Sequence, residues 1–252
     1  MYKDNKQKIV ATIEARMTST RLPGKVLLPL AGKPALERII ERLRRSKYLD
    51  EIIVATTIND FDNPVVELAQ ELGVKFYRGS EEDVLGRVLN ATQSVKGDIV
   101  VEVTGDCPLV DWRLIDRGIE EFFENDVDYA SNIVNLSYPI GLDVQVFKIE
   151  ALVKADREVK DQIERTHVSY YIYNHPEIFN ILNWAAEKEC TWPDLRLTLD
   201  EKDDYLLLSK IYEKIWLENE DFSYKDIIKF LRDNSNLLNI NKNVRRKSPT
   251  EG

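Results

Sequence analysis

Cysteine and histidine are scarce in this chain, with two of each in 252 residues. Cys107 and Cys190 lie far apart without metal-type spacing, which argues against a disulfide framework or a zinc ribbon. His167 and His175 lack the i, i+4 spacing of a helical zinc pair. No stretch approaches the roughly 18 apolar residues of a membrane span. The polar start, Met1 to Lys8, has no signal-peptide apolar core, so free thiols in a reducing cytoplasm are expected. Positive charge is also in deficit. A net charge of −9 and a pI near 5.0 argue against non-specific binding to nucleic acid or an anionic membrane. Internal repeats, low-complexity linkers and a clean domain boundary are absent too.

What remains is ordinary globular composition, 43% hydrophobic and 31% charged, in a chain long enough for a large core. A single α/β domain over residues 1–240 is expected, with a less regular subregion at about 135–190 and a frayed, flexible tail at 241–252. Ile9–Ile13, Glu51–Thr56, Val74–Tyr77 and Asp98–Val103 read as short buried strands. Between them, Leu36/Ile39/Ile40/Leu43, Val65/Leu68/Ala69/Leu72 and Val84/Val88/Ala91/Val95 follow helical spacing. Apolar strands alternating with helices imply a parallel sheet covered on both faces, whose ligands bind outside the carboxyl ends of the strands. In the second half, Asp143–Phe147, Phe179–Trp184 and Leu195–Leu199 read as strands. Residues 159–174, 206–217 and 224–231 read as helices.

The loop after the first strand is the most informative segment. Glu14-Ala15-Arg16-Met17-Thr18-Ser19-Thr20-Arg21-Leu22-Pro23-Gly24-Lys25 interleaves two arginines and a lysine with hydroxyls. Forked guanidinium donors and a mobile ammonium suit the many oxygens of a polyphosphate, whereas a plain solvated loop does not need this mixture. Asp106, just after the fourth strand, is placed to hold a hard cation such as Mg²⁺. The alternative is a cap for the following helix, for which Asp111 is the stronger candidate. Asp200, at the end of a strand, reads equally as a metal ligand or as the N-cap of a helix near Asp203. Asp126-x-Asp128 has the form of a glycosyltransferase metal motif and also of a solvated turn.

These blocks resemble a known family. Ala15-Arg16-x-x-Ser19-x-Arg21-Leu22-Pro23-Gly24-Lys25, Leu30-Ala31-Gly32-Lys33-Pro34, Gly105-Asp106-x-Pro108-Leu109 and Leu199-Asp200-x-x-x-Asp204 are similar to the cytidylyltransferases that make CMP-activated acidic sugars. These include the CMP-3-deoxy-manno-octulosonate synthetases and the acylneuraminate cytidylyltransferases. Arg78-Gly79-Ser80-Glu81-Glu82-Asp83, Gly141-Leu142-Asp143-Val144, Glu164-Arg165-Thr166-His167 and Asp194-Leu195-Arg196 resemble the subgroup named for spore-coat polysaccharide biosynthesis.

The resemblance implies a Rossmann-like nucleotidyltransferase (GT-A-like) fold, a mixed and mostly parallel sheet with helices on both faces. It implies CTP as substrate and Mg²⁺ as cofactor. By this resemblance Arg16, Ser19, Arg21 and Lys25 bind the triphosphate, with Ala15 in the same nucleotide site. Arg16, Lys25 and Asp106 carry catalysis, Asp106 and Asp200 hold Mg²⁺, and cytosine lies near the Arg78–Asp83 segment. It also implies a homodimer through residues 135–190, with Tyr170, Tyr171, Tyr173 and Trp184 as candidates for its interface.

The acceptor is expected to be a small molecule near Asp143. This carboxylate accepts hydrogen bonds from hydroxyl or ammonium groups and repels another carboxylate. An anionic group of the acceptor would then be held elsewhere by Arg165 or Arg196, with His167 touching substrate. Two other classes compete with this reading: a nucleotide-sugar-dependent glycosyltransferase and a non-catalytic nucleotide-binding scaffold.

Overall fold

Each apolar run of the first half becomes a strand of one sheet in the computed structural model, which describes residues 7–245. The strands are β1 (Ile9–Glu14), β4 (Glu51–Thr57), β5 (Lys75–Gly79) and β6 (Ile99–Thr104), with a small antiparallel hairpin, β2 (Pro29–Leu30) and β3 (Lys33–Pro34), between the first two. The second half adds β7 (Tyr129–Ser131), β8 (Gln145–Lys148) and β9 (Ile181–Asn183). The order is β5-β4-β1-β6-β8-β7-β9, and only β8 runs antiparallel to its neighbours.

Helices cover both faces because their apolar stripes match the buried strand residues. On one face, α1 (Ala35–Leu43), α2 (Asn63–Glu71), α4 (Trp112–Glu124), α8 (Lys202–Ile211) and α9 (Tyr224–Asp233) pack over Ala11, Ile13, Val101, Val103 and Val146. On the other, α3 (Val84–Ser94), α5 (Ile149–Glu158) and α7 (Tyr170–Asn174) pack over Val10, Ile53, Val100 and Phe147. The stripe of α1, Leu36, Ile39, Ile40 and Leu43, is fully buried. Each such side chain stabilises the fold by roughly 1.5–3 kcal/mol.

Several expectations are corrected. Leu195–Leu199 is not a strand: it is extended and makes one isolated bridge, Ile140 to Arg196, because its other polar groups bond to loops. The helix expected over residues 159–174 is split into α6 (Gln162–Arg165) and α7, with Asp161 capping the first. Strand β8 begins at Gln145, so Asp143 lies in the loop before it. Helix α8 starts at Lys202 and continues as a π-helical turn over Tyr212–Trp216. Trp184 belongs to the chain's own core, with its ring against Gly118, and is not available to an interface. Asn241 is buried and donates to Asp204 Oδ1 at 3.0 Å, so the segment expected to fray begins as an anchored turn. Residues 1–6 and 246–252, the rest of the expected polar start and tail, lie outside the described residues.

Candidate active site

The phosphate-type loop is held in shape by backbone and by one buried carboxylate. Gly24 N–H donates to Met17 O at 2.8 Å and closes the loop, while Met17 N–H donates to Asp62 Oδ1 at 2.6 Å. Lys25 opens a short 3₁₀ turn whose Val26 is buried, which fixes the base of the lysine side chain. Gly105 explains how Asp106 comes so close. Its N–H donates to Glu14 O at 2.9 Å, and a Cβ there would lie 2.6 Å from that oxygen. Only glycine permits this approach of the β6 end to the β1 end. Leu199 N–H then donates to Asp106 O at 2.7 Å, which draws Asp200 into the same place.

The result is a cluster at the carboxyl ends of β1 and β6. Lys25 Nζ lies 3.1 Å from Asp106 Oδ2 and 2.8 Å from Asp200 Oδ1. Arg21 Nη2 reaches Asp200 Oδ1 at 2.9 Å, and Arg196 bonds its other oxygen. Burial opposes ionisation of Asp106, but the Lys25 ammonium and the Thr104 hydroxyl outweigh it and hold the carboxyl down at about 2. Burial likewise works against the Lys25 charge, and the two carboxylates overcome it and raise the ammonium above its ordinary value.

Both capping alternatives fail. Asp111 caps α4 by accepting Arg113 N–H at 2.9 Å. Glu201 is the N-cap of α8 in a capping box with Asp204, which leaves Asp200 facing the cations.

The other expected residues divide into two groups. Ala15 and half-buried Ser19 share the loop with Arg16, whose Nη1 reaches Glu81 Oε1 at 3.2 Å. Thr18 bonds the same carboxylate oxygen. The remaining residues are engaged with the protein itself. Arg78 donates to Thr57 O, Asn63 Oδ1 and Asn59 O, each at 2.8 Å. Asp83 caps α3 through Gly86 N–H at 2.9 Å and binds Arg165 through both of its oxygens. Arg165 also meets Asp156 at 2.6 Å, and Arg196 meets Asp204 at 3.2 Å besides Asp200. Neither arginine therefore offers an uncommitted charge to an acceptor. His167 lies between α6 and α7, with its ring 5.9 Å from that of Tyr170.

Asp126 and Asp128 lie at the amino end of β7, across the sheet from this cluster. Lys148 Nζ reaches Asp128 at 3.0 Å, and Asn180 N–H donates to it at 3.0 Å. Asp128 anchors the turn there, and the Asp126 side chain is exposed.

The residues fit a hard divalent cation. Among the described residues no group of three or more His, Cys, Asp or Glu is arranged to hold a metal. Mg²⁺, however, needs only one or two carboxylates beside substrate phosphates. Asp106 and Asp200 already converge on one positive atom, and Asp106 is ionised far below neutral pH.

Reading the sequence missed the buried carboxylates. Glu102 interrupts β6, a strand taken as fully apolar, and Glu14 ends β1. A carboxylate inside an otherwise apolar strand was the signal for Glu102. Burial and then the charge of Glu102 push the Glu14 carboxyl well up, with Arg87 opposing. Burial pushes Glu102 up to about 7, against hydrogen bonding by Ser169 and Gln145.

A mixed sheet with a cationic loop at its β1 end and two converging aspartates defines a nucleotidyltransferase, and comparison with known proteins agrees. The Cytidylyltransferase family profile matches residues 10–244. A structure of a cytidylyltransferase from Leptospira borgpetersenii superposes with a TM-score of 0.88 at 31% identity, covering 96% of this chain and 100% of that one. An uncharacterized Methanocaldococcus jannaschii protein is 43% identical over 97% of this chain and 98% of its own length. The spore coat polysaccharide biosynthesis protein SpsF of Bacillus subtilis is 34% identical over 90% of this chain and 95% of its own. The chain belongs to the cytidylyltransferase family, nucleotidyltransferases that use CTP.

Proposed function

We propose that this enzyme transfers CMP from CTP to a small acidic sugar or phosphorylated acceptor, with release of pyrophosphate, in cytoplasmic steps of surface-glycan biosynthesis. The observation that carries the reading is the convergence of Lys25, Asp106 and Asp200 beside the Arg16–Lys25 loop. Similarity to a spore coat polysaccharide biosynthesis protein supports the pathway class.

Attack of an anionic or hydroxyl oxygen on the α-phosphorus demands charge neutralisation and alignment more than a protein nucleophile. Arg16, Arg21 and Lys25, with the hydroxyl of Ser19 and the backbone at Ala15, bind and orient the triphosphate. Triphosphate oxygens replace Glu81 as the partner of Arg16. Asp106 and Asp200 would hold Mg²⁺, which would supply positive charge to the triphosphate. The Lys25 ammonium adds its charge to the same phosphates. Arg78 and Asp83 shape the cytosine side by fixing the 57–63 loop and the start of α3. Asp143 and His167 face the acceptor, and Arg165 and Arg196 act by positioning Asp83 and Asp200.

A homodimer through residues 135–190 completes the reading. The half-buried rings of Tyr170, Tyr171 and Tyr173 are its candidate contacts, and light scattering at micromolar concentration should give twice the chain mass. The glycosyltransferase alternative loses support from the place of Asp126 and Asp128 at the opposite end of the sheet. The test is pyrophosphate release from each nucleoside triphosphate with a panel of sugar acids and sugar phosphates. Acceptor-dependent release from CTP above other triphosphates is expected. Transfer from a nucleotide sugar without pyrophosphate would overturn the reading.

A further inference from the structure

Asp62 occupies the N-cap position of α2, where an aspartate ordinarily accepts the free N–H groups of the first turn. Its side chain makes no such bond. It is fully buried and turns back toward the loop after β1 instead. Oδ1 accepts Met17 N–H at 2.6 Å, and Oδ2 accepts the N–H of Thr57 at 3.3 Å together with the Thr57 hydroxyl. One carboxylate thus joins the end of β4 to the cationic loop, across 45 residues of sequence.

Met17 is the point at which that loop is fixed. Its N–H belongs to Asp62, its carbonyl accepts Gly24 N–H at 2.8 Å, and its side chain packs on the core. The residues on either side of it present donors. Arg16 is exposed and Thr18 half-buried, and both reach one atom, Glu81 Oε1, Arg16 at 3.2 Å. Two donors flanking an anchored residue and meeting at one anionic oxygen form a receptacle for an oxygen of a phosphate. Arg78 ties down the other side of the junction by donating to Thr57 O and Asn59 O, each at 2.8 Å.

We infer that Asp62 is a positioning residue for the triphosphate: through Met17 N–H it sets the Arg16 guanidinium and the Thr18 hydroxyl at the separation that receives one phosphate oxygen. The inference rests on the triphosphate reading above and adds Thr18 to the phosphate donors. Asp62 itself is buried and acts through Met17. An ionised acceptor holds an N–H more strongly than a neutral one. Neutralising Asp62 leaves the loop closed by Gly24 but loosens the peptide that aligns the two donors. The resulting loss of CTP affinity runs through Arg16 and Thr18, so it should vanish when those two side chains are absent.

A double-mutant cycle tests this. Calorimetry gives the CTP dissociation constant for wild type, Asp62→Asn, Arg16→Ala/Thr18→Val and the triple variant, and thermal melts verify that each folds. Asp62→Asn should weaken CTP binding about tenfold or more in the wild-type background, and less than about threefold once Arg16 and Thr18 are replaced. A merely structural role costs the same factor in both backgrounds. Equal factors, or unchanged affinity in folded Asp62→Asn, would overturn the inference and leave the triphosphate reading standing. No CTP binding by the wild type, or unchanged affinity in Arg16→Ala/Thr18→Val, would overturn that reading and the inference with it. If Asp62→Asn does not fold, amide exchange on the wild type decides. Met17 N–H should be protected about a hundredfold or more without nucleotide, and exchange at the rate of an open amide would overturn the inference.

Discussion

Replacing Lys25 by methionine separates what this side chain does for stability from what it does for reaction. Methionine keeps much of the apolar stem and deletes the charge. In the folded protein the ammonium, helped by the Thr104 hydroxyl, holds Asp106 at about 2 against burial, below an ordinary value of 3.8. At about 1.4 kcal/mol per unit that difference is roughly 2 kcal/mol at pH 7. Partial exposure of the aspartate, 25%, lowers the figure, while the burial it no longer offsets raises it. Asp200 is less affected because Arg21 and Arg196 remain on it.

Lys25→Met should therefore destabilise the unliganded protein by about 2 kcal/mol in urea unfolding at pH 7. The sign follows from a depressed carboxyl. Its contribution is present above the unfolded value near 3.8 and is lost as pH falls toward about 2. Adding Asp106→Asn removes the stranded charge and should return most of that stability. Turnover should not return. Loss of a charge-assisted phosphate contact costs on the order of 2–4 kcal/mol, or roughly 30- to 1,000-fold in rate. A stable double variant with wild-type turnover, or Lys25→Met with unchanged turnover, would refute the reasoning.

Glu102→Gln should stabilise the protein selectively at alkaline pH. A carboxyl raised to about 7 contributes fully below its unfolded value near 4.5 and loses that contribution as pH rises through 7, so the gain at pH 8 is up to about 3 kcal/mol and vanishes near pH 4. Urea midpoints across pH check it. Gly105→Ala should cost on the order of 1–3 kcal/mol and depress turnover, because the added methyl meets Glu14 O at 2.6 Å and forces Asp106 away from Lys25. Asp128→Asn should leave metal-dependent turnover near wild type and lower the melting temperature modestly, since Asp128 anchors Lys148 and Asn180.

The first half of the fold was legible because its strands are short apolar runs separated by helices of regular period. Leu36 to Leu43 and Val84 to Val95 give the stripe directly. The second half was less so. Leu195–Leu199 has strand composition, yet its hydrogen bonds go to Ile140 and the Asp106 loop, a tertiary choice that composition does not carry. At the candidate site, the Arg16–Lys25 loop and Asp106 stood out by their place after strands, Asp200 was left between cap and metal ligand without the resemblance, and the structure brings Lys25, Asp106 and Asp200 together. The partnership of Arg165 with Asp83 was not, because 82 residues separate them and only the packing of α6 beside α3 joins them. Glu14 was hidden for another reason. A residue at the end of an apolar run reads as solvent-facing, and only the register of β1 with β6 shows it on the same covered face as Glu102, which interrupts its strand.

The central claim is that the α-phosphoryl group of CTP moves to an acceptor while the outer phosphates depart. Incubation with CTP labelled at the α-phosphorus, Mg²⁺ and the acceptor panel, followed by separation of the products, reads this directly. The account predicts label in a CMP–acceptor conjugate, unlabelled pyrophosphate in equal amount, and loss of both in Asp106→Asn. Label confined to free CMP or CTP with every acceptor, or conjugate formation that survives Asp106→Asn at the wild-type rate, would contradict it.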